Sequence, residues 1–191
     1  NQEKKMRILI FGIMGMLGHV LWENLKEDFE VYGTTRESED SFTEKYSILK
    51  TNNMNIVYEI NVLSKEAVST VLEKVRPDVV INCIGIVKQL KEAEDPIIST
   101  PLNSLFPHLL AASCAATNIR LIHISTDCVF SGKKGFYRET DPADADDLYG
   151  RTKYSREVSG PDCLTIRTSL IGRELREKKF LKIVSLAPEV L

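Results

Sequence analysis

Short apolar runs recur along this chain, and between them lie stretches whose apolar residues return at helical spacing. Residues 7–12 (RILIFG) are apolar after the first position and run into glycine, the pattern of a parallel strand covered on both faces. Residues 16–25 read as the helix that follows, and residues 30–34 (EVYGT) as a second strand. Residues 36–54 are polar and irregular, which predicts a surface loop or a weak helix. A third strand is expected over 55–61 (NIVYEIN). Ser64 then caps the clearest helix: Val68, Val71, Leu72 and Val75 fall at i, i+3, i+4 and i+7, with Glu66 in the first turn and Pro77 past the end. Further strands are expected at 78–84 (DVVINCI), 119–125 (IRLIHIS) and 163–169 (CLTIRTS). Helices are expected over 102–117, with Pro107 near the start or at a kink, and over 148–158.

Alternation of apolar strands with amphipathic helices implies an α/β fold with a doubly wound parallel sheet, Rossmann-like, of at least six strands. Right-handed crossovers then fix most of the topology. Gly12, Asn61, Gly85, Thr126 and Thr168 each lie at or just after an expected strand end, so they should share the rim where such sheets bind ligands. The tail from Arg173 differs: it opens with charge (RELREKK) and ends in an apolar stretch with little left to pack on. The reading is therefore one domain over 1–174 and a short tail over 175–191, at which the chain stops early.

Two constellations carry chemistry. The first is the loop Gly12-Ile13-Met14-Gly15-Met16-Leu17-Gly18 between a strand and a helix. Gly12 permits the tight turn, Gly15 lets backbone N–H groups approach a pyrophosphate, and Gly18 lets the helix pack closely on the strand. Incidental glycines in an apolar helix are the bland alternative, and the clean strand before the loop argues against it. At the end of the second strand, where an acid usually meets the ribose hydroxyls of NAD, stand Thr34-Thr35-Arg36. Arg36 can pair with a 2′-phosphate, which favours NADP(H) over NAD(H); Glu37 keeps NAD(H) open.

The second constellation is Ser125-Thr126-Asp127 with Tyr149 and Lys153. On a helix, i and i+4 share one face. Lys153 would hold positive charge near the Tyr149 hydroxyl and favour the phenolate, and Thr126 would donate to a substrate oxygen. That set moves a proton while a hydride moves.

Composition narrows the field. Hydrophobic residues make up 43% and charged residues 27%, as in ordinary globular proteins, and a net charge of −2 gives polyanions such as nucleic acid nothing to seek. The four cysteines form no C-x-x-C pair and no zinc spacing, and the three histidines have no ligand spacing, so no metal is expected and the thiols read as reduced, cytoplasmic ones. No run approaches the ~20 apolar residues of a membrane span. Lys4, Lys5 and Arg7 precede an apolar run, but glycines interrupt it and no cleavage site follows, which argues against a secretory leader.

Three stretches, residues 76–85 (RPDVVINCIG), 124–153 (ISTDCVFSGKKGFYRETDPADADDLYGRTK) and 164–174 (LTIRTSLIGRE), together with the glycine loop, resemble the extended short-chain dehydrogenase/reductases. Within them the likeness is to the dTDP-4-dehydrorhamnose reductase family of sugar-nucleotide enzymes. The resemblance implies a reductase of a 4-keto-6-deoxy sugar nucleotide, serving deoxysugar and cell-surface polysaccharide biosynthesis. It implies a dinucleotide-binding domain over 1–174 and a substrate-binding part that begins in 175–191 and is largely absent, with Thr126, Tyr149 and Lys153 as the catalytic triad and Gly12, Gly15 and Gly18 at the pyrophosphate. It also implies Arg36 and Asn61 around the adenosine, Cys83, Ile84 and Gly85 along the cofactor groove, and Arg167, Thr168 and Ser169 near the nicotinamide. Asn61 stands where the family has an acid, Cys128 where it has a substrate-facing tyrosine, and Tyr154-Ser155-Arg156-Glu157 where many members have a small residue, Gly and Glu. Two other readings stay open: a non-catalytic regulatory subunit like that of methionine adenosyltransferase, and a sugar-nucleotide epimerase or dehydratase, for which Asp127 beside the Thr speaks. A two-helix dimer contact is common in this superfamily and leaves a homodimer open.

Overall fold

The computed structural model describes residues 5–46, 55–88, 90–155 and 157–170. The end of the expected 36–54 loop and the tail beyond residue 170, with the domain limit drawn at 174, lie outside these residues. The described strands are β1 (Arg7–Phe11), β2 (Glu30–Thr34), β3 (Asn55–Val57), β4 (Val79–Asn82), β5 (Arg120–Ser125) and β6 (Cys163–Arg167). They form one parallel sheet in the order β3-β2-β1-β4-β5-β6. The chain winds one way from β1 to β3 and the other way from β4 to β6, so the switch point lies between β1 and β4.

Alternation along β1 builds the two cores. Leu9 and Phe11 face one side, where α3 (Lys65–Val75) and α5 (Phe106–Ala116) bring Val68, Leu72, Phe106 and Leu110. Ile8 and Ile10 face the other, with Ile13 and with Trp22 of α1 (Met16–Leu25). Ser64 caps α3 as expected, its Oγ accepting the Ala67 N–H at 3.1 Å.

Several segments sharpen or shift the expected bounds. β3 stops at Val57, not 61, because Glu59 turns into the left-handed region (φ 57) and its N–H leaves the ladder for the Glu37 carbonyl. The 36–54 stretch contains a true helix, α2 (Glu39–Lys45), capped by Ser38 and anchored by Phe42, which is 2% exposed. The helix expected over 102–117 starts earlier, as α4 (Pro96–Thr100), and passes through a π turn (Pro101–Leu105) into α5, with Pro107 directly after that turn, where the helix departs from regular α geometry. The Tyr-Lys helix, α6 (Leu148–Tyr154), is shorter than 148–158, and β6 ends at Arg167 before 169. No described helix is long and apolar enough to cross a membrane.

Candidate functional site

The glycine loop follows β1 directly. Gly12 adopts φ +82 and its carbonyl accepts the Gly15 N–H at 3.0 Å, closing the turn. A Cβ on Gly18 would stand 2.3 Å from the Gly12 carbonyl oxygen and 2.8 Å from Ile13 Cα, so only glycine lets α1 lie this close to the loop. Gly15 is the N-cap of α1 and has no side chain to satisfy the first-turn N–H groups, which leaves them for an anion. Met14 is 3% exposed and its side chain belongs to the core, so only its backbone can serve a ligand. Met16 and Leu17 open the helix and are half-buried. A Cβ on Gly12 would come within 2.9 Å of Ile84 Cγ1, so the loop rests on the exit of β4, and the segments around Gly12 and around Cys83, Ile84 and Gly85 meet.

At the end of β2, Arg36 is exposed. Glu37 turns inward and accepts Lys45 Nζ at 2.6 Å through Oε1. Asn61 is exposed, and its Oδ1 accepts the Leu63 N–H at 3.1 Å, which spends the amide oxygen locally. At the exit of β4, Asn82 Oδ1 accepts the Ile84 N–H at 3.0 Å, and Asn103 Oδ1 accepts the Ile86 N–H at 2.8 Å. Burial pushes the Cys83 thiol up to about 12, so the group lines this exit as a neutral thiol.

Thr126 stands directly after β5 and caps the short turn Asp127–Val129, its Oγ1 accepting the Cys128 N–H at 3.2 Å. Against that turn packs α6, which carries Tyr149 (9% exposed) and Lys153 (5% exposed). The Lys153 ammonium lies 5.5 Å from the centroid of the Tyr149 ring, so the i, i+4 pair shares one buried face. Asp147 starts α6 by accepting the Gly150 N–H at 2.7 Å and also receives Lys88 Nζ at 2.7 Å. Burial alone would raise the Asp147 carboxyl; the Gly150 N–H and the Lys88 ammonium outweigh it and hold the group below its ordinary value. Cys128, in the place of the family's tyrosine, is half-buried beside Tyr149, and burial raises its thiol.

Of the three residues expected near the nicotinamide, Arg167 is committed elsewhere: its Nε and Nη2 each meet Glu157 at 2.7 Å. Thr168 is half-buried and Ser169 exposed, and Ser169 Oγ donates to Asp127 Oδ2, which joins the end of β6 to the Thr126 turn. The sheet thus brings Gly12, Ile84, Thr126, Tyr149 and Ser169 to one edge, while the Arg167 guanidinium pairs with Glu157 and Asn61 Oδ1 accepts the Leu63 N–H. A cavity of about 290 Å³ lined by Ala111, Ala115, Ile119 and Cys163 lies at the amino ends of β5 and β6, the far edge from this rim. No described group of three or more His, Cys, Asp or Glu could hold a metal.

Sequence reading missed Gly150, Asp147, Lys88 and Glu157. A Cβ on Gly150 would stand 2.4 Å from the Cys128 carbonyl oxygen, so this glycine lets α6 touch the Thr126 turn. Its signal was present: a glycine in the first turn of a short helix weakens it unless close packing demands one.

A glycine loop after β1 and a Thr-Tyr-Lys set after β5 and on α6 share the carboxyl edge of a doubly wound parallel sheet, which defines a Rossmann-like fold. The chain belongs to the RmlD substrate binding domain family, whose model matches residues 6–189. It is 30% identical over 172 residues to a probable low-salt glycan biosynthesis reductase, Agl14, of Haloferax volcanii, covering 87% of this chain and 54% of that protein. It is 36% identical over 102 residues to the dTDP-4-dehydrorhamnose reductase of Mycolicibacterium smegmatis, covering 50% of this chain and 31% of that one. The chain thus spans about half or less of the length of these relatives. A crystal structure of a hypothetical dTDP-4-dehydrorhamnose reductase from Sulfolobus tokodaii superposes with a TM-score of 0.72 at 27% identity, covering 85% of this chain and 56% of that one.

Proposed function

We propose that this chain is the cofactor-binding part of an NADP(H)-preferring reductase of a 4-keto-6-deoxy sugar nucleotide, serving deoxysugar and cell-surface polysaccharide biosynthesis. In this reading 1–174 is the dinucleotide-binding unit and 175–191 begins the substrate-binding part. The observation that carries it is the seating of α6: Tyr149 and Lys153 are buried on one face and held by Gly150 against the turn that Thr126 caps. A non-catalytic binder has no use for that arrangement. The glycine loop suits a pyrophosphate, because Gly18 lets α1 lie against the loop and the N-terminus of α1 carries no side-chain cap.

A bound nicotinamide supplies the hydride that reduces the ketone carbon. The residues of this chain do the rest. Thr126 Oγ1, which in the structure donates to Asp127 Oδ1 at 3.2 Å, turns its proton to the ketone oxygen and draws charge toward it. Tyr149 Oη gives that oxygen its proton, with the Lys153 ammonium on the same face stabilising the phenolate left behind. Arg36, exposed at the end of β2, pairs with the 2′-phosphate that distinguishes NADPH.

Fluorescence titration with NADPH and with NADH tests the binding half, with NADPH expected to bind at least about tenfold more tightly, a difference of about 1.4 kcal/mol. Failure to bind either would sink it. In the full-length protein, Tyr149→Phe should abolish ketosugar-dependent NADPH oxidation and leave NADPH affinity unchanged. Retained turnover would remove Tyr149 as the acid, and binding without turnover in the parent would favour the regulatory alternative.

A further inference from the structure

The Glu157 carboxylate closes a joint behind the reacting groups. Oε1 accepts Arg167 Nε at 2.7 Å and Ser125 Oγ at 3.1 Å, while Oε2 accepts Arg167 Nη2 at 2.7 Å. The side chains are 14% and 21% exposed, so the pair is mostly withdrawn from water. Arg167 Nη1 reaches the Glu139 carbonyl at 3.3 Å, and the guanidinium lies 5.0 Å from the centroid of the Phe130 ring. Phe130 in turn stacks on Tyr137 with centroids 4.4 Å apart.

The positions of these residues give the joint its meaning. Ser125 is the last residue of β5, 4% exposed, and Thr126 follows it. Arg167 is the last residue of β6 and pairs in register with Ser125. Glu157 leaves α6, its N–H donating to the Tyr154 carbonyl at 3.1 Å. One carboxylate therefore joins the ends of the two strands to the exit of the helix that carries Tyr149 and Lys153. A withdrawn ion pair adds little stability over apolar packing, but a bidentate fork fixes direction, and directional fixing is what a reacting pair on separate elements requires.

We infer that Glu157 is a positioning residue: through Ser125 and Arg167 it sets the alignment of Thr126 against Tyr149, and Arg167 is a neutralised strut in that joint, not a ligand of the cofactor. The inference rests on the reading of Thr126 and Tyr149 as the reacting pair. It concerns a residue that touches neither substrate nor cofactor.

The test compares Glu157→Gln, Ser125→Ala and Arg167→Met with the parent, in the full-length protein for turnover and in this chain for binding and amide exchange. Ser125→Ala removes only the strap to β5 and keeps the ion pair, so it stays informative if Glu157→Gln folds poorly. Glu157→Gln should lower kcat by about tenfold or more while KM and the NADPH Kd stay within about twofold, as misalignment of reacting groups predicts. Ser125→Ala should act in the same direction more weakly. In both, exchange at the Cys128 amide, which donates to Thr126 Oγ1, should accelerate while β1 amides keep their protection. Three results would overturn the inference: unchanged kcat and Cys128 protection in both variants, a uniform loss of protection across the sheet, or a tenfold loss of NADPH affinity in Arg167→Met. If the parent fails to reduce ketosugar, the functional reading falls on its own, and amide exchange with the Arg167→Met titration still decides the joint.

Discussion

Gly150→Ala is the sharpest probe of how α6 is seated. The added methyl would stand 2.4 Å from the Cys128 carbonyl oxygen and 2.4 Å from Ala145 Cβ, both on the turn and loop that α6 packs against. Carbon atoms rest near 3.5–4.0 Å, so α6 must back away by about 1 Å. Overpacking of this kind costs about 1–3 kcal/mol, while alanine's preference for helix returns about 1 kcal/mol. The net expectation is a loss of about 1 kcal/mol, read as a lower urea midpoint at unchanged m. Function should suffer more than stability, because Tyr149 rides on the displaced helix and a shift of about 1 Å at reacting atoms can cost about 100-fold in rate. NADPH affinity should not change, since the glycine cradle lies on β1 and α1. A variant more stable than the parent by the alanine preference, with full turnover, would refute the close approach and with it the argument that Gly150 joins Tyr149 to Thr126.

Gly18→Ala places a methyl 2.3 Å from the Gly12 carbonyl oxygen and 2.8 Å from Ile13 Cα, backbone atoms that cannot yield cheaply; it should cost about 1–3 kcal/mol and weaken NADPH binding at least about tenfold by titration. Arg36→Ala should weaken NADPH by about tenfold and leave NADH unchanged, erasing the preference; equal loss for both cofactors would place the arginine elsewhere. The Asp147 carboxyl is held low in the fold, so its contribution is present above the unfolded value of about 4 and is lost only as pH falls through the lower folded one. Lys88, raised chiefly by its hydrogen bond to Asp147, contributes below its unfolded value and loses that contribution as pH rises through the higher folded one. Asp147→Asn should therefore flatten the acid limb of a stability–pH curve measured by urea midpoint, and an unchanged limb would show that the cap is not what acid removes.

What could be read from the chain was whatever a single element decides for itself. β2 and α1 have the expected bounds because the β-formers Val31, Tyr32 and Thr34 mark the strand and the glycine loop marks where the helix starts, with no distant partner needed. α2 read only as a loop or weak helix because Phe42, its buried anchor, packs against Tyr46 and Tyr58, at ring distances of 4.9 and 5.5 Å, and Tyr58 lies beyond the next strand. The Arg167–Glu157 pair was hidden for the same reason: the position of Arg167 at a strand end announces a rim residue, while Glu157 is joined to it only when β6 closes beside β5. A motif lists which residues reach the rim. Which of them remain available there depends on partners from other elements, and charge on a strand end is the residue type most often spent in this way, because a half-buried cation needs a counter-ion before it needs a substrate. By that reasoning Arg36, exposed at the end of β2, is the arginine to test for a cofactor phosphate.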